Sequence, residues 1–314
     1  MWERVICFII MVLAALCTFA ATQEFEPKTY CLYGDTCWPS KEVFDQLQAD
    51  YPTMTIIRKG ALGWEEASDL VLNRRVAKTP GATIYVTSVS DIIAVVNFTK
   101  FYNMDLKLIS SGHEFIGRNT AEGCLQMSLA KMTDTSIDLS CQENSAGCMT
   151  AEPGVLWLQA YREVDVVNRI ILGGAEPTVS VTGWSLGGGH SPYSPKLGLG
   201  ADHIIELSMV LADLSLVTMN KDGMVKRLSN GTTTSSDETD LFWAIGNSSR
   251  IITRDDVSRA VVIDRVKTDA MFGYGRPRLH VDSGVLPEVS KDFDVIKFIR
   301  DTMTDLSYTH PILN

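Results

Sequence analysis

Two glycine-rich stretches hold the residues whose types and spacing can do chemistry. One, GWSLGGGHSPYSPKLGLGADH, covers residues 183–203. It opens on Gly183-Trp-Ser-Leu-Gly187, the G-x-S-x-G pattern that exposes a serine hydroxyl on a sharp turn for nucleophilic attack. It also contains the consecutive glycines Gly187, Gly188 and Gly189, whose backbone N–H groups can bend around an anion. A nucleophile elbow needs a strand before the serine and a helix after it. VSVT before Gly183 reads as a strand, but the glycines and prolines that follow Ser185 cannot propagate a helix. The histidine partner should come late in the chain, where His280 and His310 are the candidates and neither has an informative context. Ser185 therefore reads as a loop hydroxyl, with a serine hydrolase as the remote alternative.

The other stretch is Ser110-Ser-Gly-His-Glu-Phe-Ile-Gly-Arg-Asn-Thr120, which leaves the apolar run LKLIS. Paired with Pro177–His190, it places glycines where a backbone must bend and come close to something. Successive N–H groups in such bends form an anion-binding concavity, and a diphosphate would fit one of them. No G-x-G-x-x-G opens a helix, so a Rossmann site is not indicated, and no P-loop pattern occurs. Spacing alone therefore leaves two readings: an anion or cofactor cradle, or a pair of tightly packed glycine turns.

Alternating strands and helices must position these loops. KTPGATIYV (78–86) opens on Pro-Gly and turns strand-like, and Ser88–Tyr102 reads as an amphipathic helix with Ile92, Val95 and Val96 on one face and Asn97 and Lys100 toward the other. LKLIS, CLQMSL, SIDLS and CMTA read as strands, LWLQAYREVDVV as a helix and RIILGG as a buried strand. IIELSMVLA and LSLVTMN form a hairpin around Ala212-Asp213. A short helix is expected over Glu42–Leu47, a strand over Ala260–Val266 and a helix over FDVIKFIRDTMTDL. The class is mixed α and β, without repeats or low-complexity segments.

The bulk numbers bound the function. The 314 residues suggest two domains at about 150 residues each. Hydrophobic content of 45% and charged content of 21% support a real core, and a net charge of -10 argues against a nucleic-acid partner. MWERVICFIIMVLAALCTFAATQ reads as a secretory signal peptide over residues 1–21, with no stable membrane association expected. Sequons at Asn97, Asn230 and Asn247 agree with secretion. Beyond the leader remain Cys31, Cys37, Cys124, Cys141 and Cys148; Cys31 with Cys37 and Cys141 with Cys148 are the sequence-local pairing options, and one thiol is left over. No spacing suggests a zinc or other metal site.

Several stretches together resemble the FAD-linked oxidases with a PCMH-type flavin domain, the vanillyl-alcohol-oxidase and berberine-bridge-enzyme-like superfamily. They occur in the family's order: CLYGDTCWPS, then ATIYVTSVSDIIAVVNFTKFYNMDLKLISSGHEFIGRNT, then GGAEPTVSVTGWSLGGGHSPYSPKLGLGADHIIELSMVLAD, then DLFWAIG. The likeness covers about residues 30 to 246. It implies an α+β fold: a PCMH-type FAD-binding domain of two α/β subdomains (78–254), preceded by an N-terminal segment (22–77) and followed by a truncated start of the substrate domain (255–314). It also implies FAD as cofactor, hydride transfer from an alcohol, sugar or related small molecule, and O2 as acceptor. The alternative is a catalytically impaired truncated isoform or a secreted binding module.

The resemblance also implies site residues. The loop Ser110 to Gly117, with Ser110, Ser111, Gly112, His113, Glu114, Phe115 and Gly117, would wrap the FAD diphosphate; Gly183, Gly187, Gly188 and Gly189 would let backbone approach the flavin, and Arg118, Asn119, Thr178 and His190 are further cofactor-binding candidates. His113 stands where many members attach the flavin 8α-methyl group to an imidazole nitrogen. Glu176, in Gly174-Ala-Glu-Pro-Thr-Val179, stands where bicovalent members carry a cysteine; a carboxylate cannot form that thioether, so at most one link is expected. Departures follow DLFWAIG, where Asn247–Asp256 replaces the family's glycine run, and no catalytic base is assigned.

Overall fold

The computed structural model describes residues 29–141, 146–242, 260–268 and 271–273. The expected leader, the Asn247 sequon, the stretch 247–256 and the helix expected over 293–306 lie outside the described residues.

The first unit is a four-stranded sheet of order β1-β2-β4-β3, formed by β1 (Thr55–Arg58), β2 (Ala82–Tyr85), β3 (Leu106–Ile109) and β4 (Leu125–Ser128). β2, β4 and β3 run parallel, and β1 closes one edge antiparallel. Two further helices belong to this unit, α1 (Lys41–Asp50) and α2 (Trp64–Ser68). Parallel strands need a crossover. Here it is α3 (Val89–Phe101), which the Ser88 hydroxyl caps by accepting from Asp91 N. Ile92, Val95, Val96 and Phe98 of α3 are buried, and each such side chain contributes roughly 1.5–3 kcal/mol relative to exposure. The burial extends further round the helix than simple amphipathicity suggests, taking in Asp91. That carboxylate accepts from Thr53 Oγ1, Thr87 N and Thr87 Oγ1, each at 2.9 Å, so it is buried with its hydrogen bonds made.

The second unit is a seven-stranded antiparallel sheet of order β11-β10-β9-β8-β12-β6-β5. The expected strands appear as β5 (Thr135–Asp138), β6 (Cys148–Ala151), β8 (Ile204–Leu211) and β9 (Leu216–Asn220), with β8 and β9 forming the expected hairpin. Two polar strands not read from the sequence, β10 (Gly223–Arg227) and β11 (Thr233–Ser236), extend the meander to one edge. β12 (Ala260–Thr268) pairs with both β8 and β6. The helix α4 (Trp157–Val166) packs its Trp157, Ala160 and Val164 into a core with Met149, Leu172 and Val181. β7 (Arg169–Ile171) pairs with β13 (Met271–Gly273). The two units share a core: Val210 of β8 is buried against α3, and Lys100 Nζ at the C-terminal end of α3 donates to Ala212 O at 2.8 Å.

Both local disulfide options are realised, Cys31–Cys37 and Cys141–Cys148, and Cys124 is a buried free thiol. The grouping of Cys31, Asp35 and Cys37 has metal-ligand types, but its sulfurs are bonded to each other. Among the described residues, no helix is long and apolar enough to cross a membrane.

Candidate cofactor site

The loop after β3 begins at the C-terminal edge of the parallel strands and is fastened along its length. Ser110 Oγ donates to Pro153 O at 2.5 Å, and Leu72 N donates to Gly112 O at 3.1 Å. Gly112 has φ +74°, and a Cβ there would sit 1.9 Å from Leu70 O, so only glycine fits. Asn73 Nδ2 donates to Phe115 O at 2.7 Å. The Glu114 carboxylate accepts from Ile116 N (3.1 Å), Arg118 N (2.8 Å) and Arg118 Nε (3.0 Å). Burial pushes its pKa up, but these donors outweigh burial and hold it below the usual carboxylate value. Glu114 and Arg118 thus shape the loop, while Phe115 is largely exposed at its tip.

The second segment meets this loop across more than sixty residues of sequence. Ser180 N donates to Ser111 Oγ at 3.0 Å, and His113 Nε2 lies 2.9 Å from Thr178 Oγ1. Immediately beyond, VSVT is not the strand expected from its β-branched residues. It opens α5 (Val181–Leu186), because the Ser180 hydroxyl accepts from Gly183 N at 3.2 Å and caps a helix there. This overturns the elbow geometry. Ser185 is a buried residue near the end of α5 rather than the apex of a strand-to-helix turn.

The glycines divide by what surrounds them. A Cβ on Gly189 would meet Gly200 Cα at 2.6 Å and Trp184 Cζ3 at 2.8 Å, so Gly189 exists to pack Trp184. Gly188 has φ +97° and open space beside it, and Gly187, at the C-cap of α5 with φ -82°, has only ordinary contacts. Gly183 is constrained by its own cap, with Ser180 Oγ 3.0 Å from where a Cβ would stand. His190 supplies its carbonyl to Trp184 Nε1 at 2.8 Å. The open side of Gly187–Gly188 is a surface that a ligand can approach closely.

Some relevant side chains were not singled out from the sequence. Ser180 joins the two segments. Gln126, buried in β4, donates through Nε2 to Asn119 O at 3.2 Å while its Oε1 has no partner. Thr182 Oγ1 is also buried without a partner, as is Oδ1 of Asn119, a residue the sequence had already singled out. Buried polar atoms left unpaired are uncommon and expensive, and these suit a polar ligand. The signals were present: a glutamine inside the apolar run CLQMSL, and a serine three residues before a glycine.

A family profile described as an FAD binding domain matches residues 80–220, which span β2 to the end of β9. Residues 80–220 thus resemble this FAD-binding domain. Its cofactor is FAD. Similar proteins include the FAD-linked oxidoreductase sthB of Phaeosphaeria nodorum, 29% identical over 164 residues, covering 52% of this chain and 48% of that one. The VAO-type flavoprotein oxidase VAO615 of Thermothelomyces thermophilus is 28% identical over 137 residues, covering 43% and 24%. Among solved structures, the VAO-type flavoprotein MtVAO615 from Myceliophthora thermophila superposes with TM-score 0.58 at 20% identity, covering 76% of this chain and 48% of that one. A glucooligosaccharide oxidase from Acremonium strictum does so with TM-score 0.57 at 23% identity, covering 74% and 42%. The fold is therefore that of the VAO-type flavoproteins, and the chain spans from about a quarter to about half of these relatives' lengths.

Proposed function

We propose that this chain is the flavin-holding part of an FAD-dependent oxidoreductase that takes hydride from an alcohol, a sugar or a related small molecule. The observation that carries this reading is the joining of the two loops through Ser180 N to Ser111 Oγ and His113 Nε2 to Thr178 Oγ1. It puts the backbone amides of Ser110–Gly117 and the open face of Gly187–Gly188 on neighbouring segments. The amides at the start of the first loop, ahead of those of Ile116 to Arg118 that bond the Glu114 carboxylate, would hold the diphosphate, as bent N–H runs do. The exposed glycines would let backbone lie against the ring system. FAD, when bound, supplies the hydride acceptor; the chain's own residues bind it, orient it and stitch the two loops around it. Relatives of this fold include glucooligosaccharide and xylooligosaccharide oxidases, which supports a small-molecule substrate and O2 as the electron acceptor.

His113 is the proposed covalent anchor. Its imidazole would supply the electron pair of a new N–C bond to the 8α-carbon. Forming that bond would release one proton from the methyl group, one from the imidazole and two electrons, for which dioxygen would be the oxidant, giving hydrogen peroxide. The solved Acremonium strictum oxidase carries a 6-S-cysteinyl, 8α-N1-histidyl FAD. Here Glu176 takes the cysteine's place in the sequence pattern, so one link is the proposed maximum.

The test is flavin fluorescence of acid-precipitated protein from a flavin-replete host. The wild type should retain flavin in the pellet and His113→Ala should not; equal retention in both removes the anchor. Oxygen uptake with a panel of alcohols and oligosaccharides tests the oxidase reading, and no uptake by flavin-loaded protein contradicts it. Secretion belongs to the same proposal, supported by two disulfides and by the Asn230 sequon on an exposed turn, where Thr232 N donates to Asn230 Oδ1.

A further inference from the structure

Glu176 makes a definite arrangement of hydrogens at His113. Its Oε1 accepts from Thr178 N at 3.2 Å and from Thr178 Oγ1 at 2.6 Å. A carboxylate has no proton to give, so the single hydroxyl proton of Thr178 points to Glu176. The Thr178 oxygen is then left as an acceptor toward the nitrogen 2.9 Å away, His113 Nε2. That nitrogen must carry the hydrogen. In the neutral ring the lone pair is therefore on Nδ1. The series carboxylate, hydroxyl, imidazole does what a carboxylate alone does for many functional histidines: it fixes the tautomer and the ring orientation.

We propose that Glu176, acting through Thr178, is a positioning residue that holds His113 as the Nε2–H tautomer and so makes Nδ1 the atom that meets the flavin. This rests on the reading that FAD lies against His113. It gives the same path a second task. Once Nδ1 donates its pair to carbon, the ring is a cation and the Nε2 proton must leave. It passes to Thr178 Oγ as that hydroxyl's own proton passes to Glu176, whose exposed side chain returns it to water. The residue in the cysteine's place thus replaces a second covalent link with a proton path for the first.

The experiment uses the full chain labelled with ¹⁵N-histidine, purified without flavin. Two-bond ¹H–¹⁵N correlations are recorded at about pH 8.5, where an ordinary imidazole is neutral. The His113 signals are those missing in His113→Ala. The wild type and Thr178→Ser should show protonated Nε2 and bare Nδ1, whereas Glu176→Ala and Thr178→Val should lose the single tautomer. In parallel, FAD added to each protein should become acid-stable at least tenfold more slowly in Glu176→Ala and Thr178→Val than in the wild type and Thr178→Ser. A wild-type proton on Nδ1, or a tautomer unchanged in Glu176→Ala, overturns the relay. Acid-stable flavin that forms equally fast in Glu176→Ala and Thr178→Val overturns it too. The expected tautomers with no acid-stable flavin in any protein would uphold the relay and overturn the anchor instead.

Discussion

At the scale of single residues, the glycines of the two loops have different reasons to be glycine, and substitution separates them. Gly112 sits at φ +74° with Leu70 O where a Cβ would go. Gly112→Ala is expected to destabilise the protein by more than about 2 kcal/mol in urea unfolding, from left-handed strain plus displacement of the Leu70 backbone. Gly187 has neither constraint. Gly187→Ala should therefore leave the urea midpoint within experimental scatter while weakening FAD binding about tenfold, the loss of one close backbone approach of ~1.4 kcal/mol. Titrating flavin fluorescence in a His113→Ala background checks it, and unchanged affinity would show that Gly187 touches no cofactor. The Cys124 thiol is inert for a plain reason: burial pushes its pKa up to about 12. It should resist alkylation at neutral pH in native protein and react after unfolding. At this scale the sequence was legible in part. Loop bends could be read from residue types, whereas His113 was singled out only by resemblance, Gly189 owes its identity to Trp184 and Gly200, and Gly112 to Leu70. Such partners are fixed only by tertiary packing.

At the scale of elements, legibility followed hydrophobic patterning. β2, β4, α3, α4 and the β8–β9 hairpin announce themselves by apolar periodicity and by turn residues. β11 is exposed at every position, so Thr233–Ser236 carries no such pattern and was invisible. VSVT was misread because β-branched residues favour strands, whereas the Ser180 cap and the burial of Val181 impose a helix. The β8–β9 turn carries its own electrostatic test. Burial raises the Asp213 pKa, but the side-chain bonds from Lys226 (2.5 Å) and Ser215 outweigh it and leave the carboxyl at about 2. The folded value is below the unfolded one, so the stabilisation is full above about pH 4 and is lost as pH falls toward 2. The side chain is 52% exposed and well screened, so the effect should stay under about 1 kcal/mol. Asp213→Asn should flatten the stability loss between about pH 4 and 2 in urea titrations, with little change at neutral pH. A parallel pH dependence in both proteins would mean that the Lys226 contact contributes nothing.

At the scale of the whole molecule, the parallel sheet and the antiparallel sheet meet across α3, and the two cofactor segments meet through Ser111, His113, Thr178 and Ser180. Ordered motifs made the fold and the cofactor legible, because several of them occur together in the family's order. The pairing of Thr178 with His113 was not legible, since no spacing rule brings residues 65 positions apart to hydrogen-bond distance. The two disulfides close short loops and should each stabilise the chain by about 2 kcal/mol through the unfolded state. Reduction under native conditions should accordingly lower the unfolding temperature by several degrees in calorimetry, and no shift would mean that these bridges do not form in solution. The central claim, that these two loops together hold FAD, is tested most directly by equilibrium dialysis of the flavin-free full chain against excess FAD. Uptake of one FAD per chain, abolished when Gly187→Val fills the open face from an unstrained backbone position, is the result expected; a chain that remains colourless at saturating FAD would contradict the account.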